Sequence, residues 1–539
     1  MLVFMQKFNL KISGAAGEGI KVSALIFSQA CFKQGLYVHG YTEYPSLIRG
    51  GLNTFQVCAD TQPVLAPETK FDLEISLNDQ FLTDLCRQAK LHLQTRNIIA
   101  LGLSTYVFGL DLSVLNQVIK EDFVKKSPAV IDQNLQAAQI GFDYGTQNYQ
   151  SQKQSLPSGL TAFKDQLFLT GNDAISLGAI AGGMKFFTAY PMSPATSILH
   201  FLAAKAKKAQ IAVRHGEDEI GVINMALGAA FAGVRSMVAT SGGGFSLMNE
   251  ALGLAGITET PIVIVNAMRP GPASGMPTWS GQGDLLFVIH ASQDEFPRIV
   301  LTPGDPEEAF ILAKKAQNLA EKYQLPIIIL TDKYLGESYF TFKKPELKQT
   351  NQRYGFAQTQ NLDTAVPFKR YASAKIGVSL RTIPGQPGGV HLANSYEHDD
   401  YGYATESAGE RIKQVNKRAR KITAILNDPE LVKPILFGPK SAAATIISWG
   451  SNKGSVLTAL KSLKNTNFVH FPWVWPFPKT AFLSLIKSAK KLITLECNST
   501  GQLNQLIAQV TGMQIKNQIL KYDGRPFYPE EIINQVNKI

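Results

Sequence analysis

Three places in the chain put polar side chains where they could do chemistry. The first is AYPMSP, Ala189 to Pro194, which holds Ser193 between two prolines at the end of an apolar run. Proline fixes its own φ and biases the residue before it toward extended backbone, so Pro191 and Pro194 stiffen the turn carrying Tyr190 and Ser193. Two readings follow. Ser193 is an N-cap with Pro194 at the first helical position, or it is a hydroxyl held rigid beside backbone N–H groups to meet an anion. The second place is Arg269, which follows the apolar stretch PIVIVNA and precedes Pro270-Gly271-Pro272. Its planar guanidinium suits a carboxylate or phosphate gripped through two parallel N–H donors. The third is Glu217-Asp218-Glu219, ahead of a helical run rich in small residues such as Ala226, Gly228, Ala229 and Gly233. Acids in a first turn suit the helix dipole. The small residues let a second backbone approach, which would bury a carboxyl at an interface.

These groups share one kind of position. Strands are expected at FFTAY, SMVATS, PIVIVNA, RIVLT and PIIILTD, alternating with helical runs. Near-continuous apolar strands of this sort form a parallel sheet covered on both faces. Ligands bind such a sheet at the C-terminal ends of its strands. Ser193, the turn TSGGGFSLMNE and Arg269 each follow a strand, so they mark equivalent edges of one sheet.

The whole chain reads as three α/β domains in a row. The 539 residues are too many for a single core. The first domain spans residues 1–155 and opens NLKISGAAGEGIKVSA, a strand, a turn with Gly14, Gly17 and Gly19, then a helix. That order suits a doubly wound domain, although the glycines do not make G-x-G-x-x-G. FDLEISLN and RNIIALG are read as further strands, and EYPSLIRGG places Arg49 ahead of another. A polar linker covers about 147–162. The second domain spans 161–435 and ends in an irregular extension from 346. The third, 440–539, has strands ATIISWG, NFVHF and KLITLE and a helix SVLTALKSL.

Composition excludes several classes. No apolar run is long enough for a membrane span, and the N-terminus reads as a first strand rather than a signal peptide. The expected location is the cytoplasm, with no membrane association. The cysteines, Cys31, Cys58, Cys86 and Cys497, form no C-x-x-C pair, so no metal site is expected in this chain. The formal charge is +11, and the run Arg411 to Lys421 holds six basic residues and no acid. It is a solvated face, a face docking on an acidic partner, or a nucleic-acid contact. Without aromatic interleaving the last is set aside, and no nucleic-acid partner is expected. Glu397-His398-Asp399-Asp400 has the composition of a metal cluster, but a structural role is the expectation.

The ordered motifs GNDAISLGAIAGGMKFFTAYPMSPATSI, EDEIGVINMALGAAFAGVRSMVATSGGGFSLMNE and MRPGPASGMPT resemble the α subunit of thiamine-diphosphate-dependent 2-oxoacid:ferredoxin oxidoreductases. GEGIKVSA and YPSLIRGG resemble that family's γ domain. SWGSNKGSV, ECNSTGQL and KYDGRPFYPEEI resemble its transketolase C-terminal-like domain. The resemblance covers nearly the whole chain as a fused γ–α subunit, with a pyrimidine-type thiamine-diphosphate fold in the middle domain.

The resemblance implies a reaction and its partners. With a β subunit, a 2-oxoacid is oxidatively decarboxylated to acyl-CoA and CO₂ while ferredoxin is reduced. Thiamine diphosphate and Mg²⁺ would be held mainly by β, which would also carry the [4Fe-4S] cluster; coenzyme A is the co-substrate. Glu219 matches the glutamate that hydrogen-bonds the aminopyrimidine, with Glu217 the second candidate. Ser193 replaces the usual threonine of Y-P-x-T-P, beside Tyr190, and Arg269 matches the substrate-carboxylate arginine. Gly17, Gly19 and Arg49 fall in the γ domain, where coenzyme A binds. No G-D-G with a following asparagine is present to hold Mg²⁺ and diphosphate. The chain alone is therefore expected to be silent, and active as a heterodimer or dimer of heterodimers. Many relatives carry a basic residue and a glutamate after Pro277-Thr278; here the run is Trp279-Ser280-Gly281-Gln282, which favours a less acidic substrate than 2-oxoglutarate. The alternatives are a non-catalytic scaffold of the same fold and an unrelated nucleotide-binding module.

Overall fold

The computed structural model describes residues 7–46, 51–157, 159–346, 348 and 352–539. They form two compact units. The first holds the residues up to Thr170 with Glu337–Lys344 and Tyr528–Ile532; the second holds the rest.

The first unit is built on a six-stranded sheet. Its order is Leu73–Ser76, Lys7–Gly14, Asn53–Asp60, Tyr37–Glu43, Tyr339–Lys343, Gln166–Thr170. Lys7–Gly14 is parallel to Leu73–Ser76. The other pairings are antiparallel, so the sheet is mixed rather than doubly wound. The segment joining Tyr37–Glu43 to Asn53–Asp60 is shorter than the crossover of about a dozen residues that a parallel pair needs. A second difference concerns RNIIALG. It opens a helix, Arg96–Val107, in which every residue from Ile98 to Val107 is buried. A segment buried all round shows no periodicity to distinguish helix from strand. Glycine fixes its packing: a Cβ at Gly102 would stand 2.0 Å from the Ala138 carbonyl oxygen, and one at Gly141 would stand 1.9 Å from that of Ile99. The helices Arg96–Val107 and Pro128–Asn148 therefore touch backbone to backbone.

The second unit contains two sheets. The larger runs Trp473–Trp475, Ile299–Leu301, Pro326–Asp332, Ile262–Met268, Ser236–Thr240, Phe186–Ala189, Ala212–His215. Six strands are parallel; five follow the expected apolar runs, and Ile262–Met268 and Pro326–Asp332 among them are buried throughout, whereas the sixth, Ala212–His215, is a largely exposed edge strand that no apolar run announced. Trp473–Trp475 is the antiparallel edge, contributed by the C-terminal sequence block. The smaller sheet runs Ile435–Phe437, Thr466–Phe471, Ala444–Trp449, Lys491–Glu496, Asn517–Leu520. Both sheets share one hydrophobic core, in which Val222, Ile264 and Ile328 cluster with Ile447, Phe471 and Leu503.

The basic run lies on the helix Ala408–Leu426, capped by the Ser407 side chain. It is not a solvated face. Lys417 and Lys421 are buried against Glu259, at 2.5 Å and 2.6 Å. Burial lowers the Lys421 pKa to about 8, with Glu259 opposing the shift. Burial alone would raise Glu259, but Lys421, Lys417 and Arg370 outweigh it and hold the carboxyl well below its usual range. Glu397 accepts from Arg411 and Arg418, and Asp399 accepts the backbone N–H groups of Tyr401 and Tyr403. The acidic partner of the basic run is thus the chain itself, and Glu397 to Asp400 form a paired turn.

Candidate active site

The C-terminal edge of the large sheet gathers the expected residues. Helix Glu219–Phe231 begins directly after strand Ala212–His215 and a short turn. Asp218 is its N-cap and accepts from Gly221 N at 2.7 Å. Glu217 and Asp218 are exposed, whereas Glu219 is 3% exposed. The cap orientation therefore decides which acid turns inward. Glu219 Oε1 is buried with no hydrogen-bond partner among the described residues. Beside it runs Gly242–Leu247, the turn of TSGGGF. A Cβ at Gly244 would stand 2.1 Å from Thr240 Oγ1 and 2.5 Å from Glu219 Oε1. Only glycine leaves that carboxylate its space.

Ser193 and Arg269 meet. Arg269 Nη1 donates to the Ser193 carbonyl at 2.7 Å. The helix that follows starts at Thr196 with Ala195 at its cap and no side-chain capping bond, so the N-cap reading of Ser193 is wrong. Its hydroxyl and the remaining guanidinium N–H groups have no partner among the described residues. Tyr190 is exposed at the same edge, its ring 6.2 Å from that of His215.

One member of the cluster escaped the sequence reading. Asp284, from GQGDLL, accepts from Asn266 Nδ2 at 3.1 Å, and a Cβ at Gly242 would stand 2.5 Å from its Oδ2. Burial raises its pKa above the usual carboxylate range, and Asn266 and Arg269 partly offset this. Burial in turn lowers the Arg269 pKa, with Asp284 opposing. Asn266 in the middle of an apolar strand was the available signal, because a buried amide needs partners.

The run Trp279 to Gln282 is tied into its surroundings by its side chains. Ser280 Oγ donates to Asp332 Oδ1 at 3.3 Å. Gln282 Oε1 accepts from Asn452 Nδ2 at 2.8 Å and from Cys497 N at 2.9 Å. These side chains join the two sheets of the unit. Trp279 carries the Arg525 guanidinium 4.0 Å from its ring centre. The guanidinium at this loop is thus supplied from elsewhere in the chain.

In the first unit, Gly17 and Gly19 have φ of 92° and 82°. This is the left-handed region that glycine reaches without strain. Glu18 braces the turn, accepting from Ala15 N at 2.6 Å and from Arg96 Nη2 at 2.8 Å. The turn lines a cleft of about 700 Å³ with His92, Arg96, Lys126 and Gln133. Arg49 lies outside the described residues.

The C-terminal edge of the parallel sheet thus carries a buried carboxylate unpartnered among the described residues and, at the same edge, an arginine bonded to the Ser193 carbonyl. The chain was compared with known proteins. Residues 177–417 match the family model "Pyruvate flavodoxin/ferredoxin oxidoreductase, thiamine diP-bdg", and residues 9–92 match "Pyruvate ferredoxin/flavodoxin oxidoreductase". The chain is 31% identical to the 2-oxoacid:ferredoxin oxidoreductase subunit alpha of Saccharolobus solfataricus, over 98% of this chain and 96% of that one. It is 31% identical to the 2-oxoglutarate synthase subunit KorA of Methanothermobacter marburgensis, over 69% of this chain and 98% of that one. Among solved structures, 2-oxoglutarate:ferredoxin oxidoreductase from Magnetococcus marinus, with 2-oxoglutarate, coenzyme A and succinyl-CoA bound, superposes with a TM-score of 0.92. That match has 29% identity and covers 99% of each chain. The chain belongs to the alpha subunits of the 2-oxoacid:ferredoxin oxidoreductases.

Proposed function

We propose that Glu219, Ser193 and Arg269 are this chain's working residues in the oxidative decarboxylation of a 2-oxoacid. The observation that carries the reading is the buried, unpartnered Glu219 carboxylate in a glycine-lined recess, on the sheet edge where Arg269 meets Ser193. A buried polar atom without a partner costs about 1–3 kcal/mol, so the fold retains it for a ligand group. A thiamine-diphosphate aminopyrimidine fits that vacancy, because it offers a ring nitrogen to Glu219. When bound, thiamine diphosphate supplies the nucleophilic carbon for the 2-oxo carbonyl and takes up the electron pair released with CO₂.

The chain's own residues do the rest. Glu219 shares a proton with the aminopyrimidine ring nitrogen. Arg269, fixed by the Ser193 carbonyl, holds the substrate carboxylate through its remaining N–H groups, and the Ser193 hydroxyl donates to the same anion. Tyr190 borders the mouth. Gly17, Gly19 and Arg49 are assigned to coenzyme A. The three domains are taken as 1–155, 161–435 and 440–539.

The site calls for a β subunit. Helix Glu219–Phe231 exposes Ile220, Met225, Gly228 and Phe231, its C-cap Ala232 is exposed as well, and Leu247 is exposed nearby. This apolar, close-approach face is assigned to β. Mg²⁺ and the [4Fe-4S] cluster are assigned to β as well, with ferredoxin as acceptor. No helix of the described residues is long and apolar enough to cross a membrane, and the cytoplasm is the proposed location.

The test is reconstitution. The chain alone and with its candidate β partner would be assayed anaerobically for viologen reduction by a panel of 2-oxoacids, with thiamine diphosphate, Mg²⁺ and coenzyme A. Activity in the pair and not in the chain is the expected result. A cofactor-loaded pair inert toward every 2-oxoacid would favour a scaffold.

A further inference from the structure

The motif GNDAISLGA starts a helix, Gly171–Ala181, with a fully buried asparagine, Asn172. A buried amide is costly unless its groups are paired. Asn172 Oδ1 accepts from no donor among the described residues, so the side chain does not cap its own helix. Its nitrogen is fully used elsewhere. Asn172 Nδ2 donates to the Pro194 carbonyl at 2.9 Å and to Ser197 Oγ at 2.7 Å. These two acceptors decide which way the amide faces. Behind it the backbone closes up. A Cβ at Gly336 would stand 2.9 Å from Asn172 Oδ1, and one at Gly171 would stand 2.3 Å from the Leu335 carbonyl oxygen.

Asn172 therefore acts on the turn that carries Ser193. Three successive carbonyls of that turn each take a donor. Met192 accepts from Ala195 N at 2.8 Å, Ser193 from Arg269 Nη1 at 2.7 Å, and Pro194 from Asn172. Residue 194, being proline, brings no N–H of its own. With the carbonyls taken, the Ser193 hydroxyl is the group left for a ligand. Arg269 is only half-buried and has a substrate to grip, whereas Asn172 is enclosed. We propose that Asn172 is a positioning residue for 2-oxoacid binding. By anchoring the Pro194 carbonyl it holds the Ser193 hydroxyl, and through the Ser193 carbonyl the Arg269 guanidinium, where one carboxylate can meet both. The inference rests on the carboxylate roles proposed for Ser193 and Arg269.

A displaced carboxylate site weakens substrate binding, whereas general loosening of the fold lowers the amount of active enzyme and so kcat with KM unchanged. The test is made on the complex of this chain with its β subunit, loaded with thiamine diphosphate. One readout is the KM for the 2-oxoacid that the pair turns over fastest. The other, independent of turnover, is calorimetric titration with oxamate, an unreactive 2-oxoacid analogue. Asn172→Ala removes the donor. Gly336→Ala keeps every native polar group and pushes the amide from behind, so it decides the matter if Asn172→Ala does not assemble. Asn172→Ala is expected to raise the KM and the oxamate Kd by about two- to tenfold, the worth of one net hydrogen bond. Gly336→Ala is expected to raise both by less, and the KM for coenzyme A is expected to stay at the wild-type value in each. Wild-type KM and oxamate affinity in an assembled variant overturn the proposal, as does a loss confined to kcat or an equal rise in the KM for coenzyme A. Arg269→Ala reports separately on the underlying reading. Oxamate that binds Arg269→Ala with wild-type affinity removes the carboxylate site, and the proposal with it. Oxamate binding that Arg269→Ala weakens and that the Asn172 and Gly336 variants leave intact removes the role of Asn172 alone.

Discussion

Two glutamates of the second unit are buried to nearly the same degree and live in opposite surroundings. Glu259 is fully buried and closed in by Lys417 and Lys421, with Arg370 nearby. Glu219 is 3% exposed, its Oε1 faces no donor, and glycine lines the space beside it. Burial of a charge is costly unless pairing repays it. Around Glu259 the repayment is internal, and the acid fastens helix Ala408–Leu426 to the sheet. Around Glu219 it is missing among the described residues, and under the proposed function the cofactor supplies it. The same residue type serves as clasp or as tool according to what surrounds it.

The comparison can be broken from either side. The largest stability effect is expected at the clasp. Glu259→Ala leaves two buried lysines unpaired, a loss of about 3–5 kcal/mol, read as a lower unfolding midpoint in urea. A midpoint within error of wild type would show that the clasp carries no stability. Next comes Arg269→Ala. It removes a charged hydrogen-bonding partner of the substrate, worth about 1.5–3 kcal/mol, so kcat/KM for the 2-oxoacid should fall by roughly ten- to a hundredfold while the unfolding midpoint stays near wild type. The smallest effect is expected at Glu397. Burial alone would raise its pKa, but Arg418 and Arg411 hold it down at about 2. A carboxyl lowered on folding contributes stability above its unfolded value of 4.5 and loses that contribution as pH falls toward 2. Glu397→Gln should flatten the acid side of the stability profile in that window and leave the neutral side nearly parallel to wild type. An unchanged acid limb would place the titration elsewhere.

The features legible in the sequence were local ones. Apolar runs marked five of the six parallel strands, and strand ends located Ser193, the TSGGGF turn and Arg269, because in such a sheet position along the chain fixes position on the edge; Glu219 was read from its place at the start of a helix rich in small residues. Features made by distant pairing were not legible. Trp473–Trp475 joins a sheet whose other strands lie far earlier in the chain. Tyr339–Lys343 pairs with Tyr37–Glu43, and Gln166–Thr170 pairs with Tyr339–Lys343 beyond it. Whether the basic run was solvated or docked was not legible, because its acids, Glu259 and Glu397, are remote in sequence or on another element. Asp284 was missed because one acid after a glycine has no signature until the fold sets it against Asn266 and Arg269. RNIIALG misled because a fully buried helix and a fully buried strand are both simply apolar.

The central claim is that Glu219 is unpartnered in the chain because its partner is the cofactor. The direct measurement is viologen reduction by the reconstituted pair carrying Glu219→Gln, at saturating thiamine diphosphate, beside a check that the pair still assembles. The amide keeps the shape and cannot share a proton in the same way, and losing a positioned acid–base group costs about 10²- to 10⁴-fold. A loss of that size in an assembled pair is the predicted result. Wild-type turnover by Glu219→Gln would contradict the account.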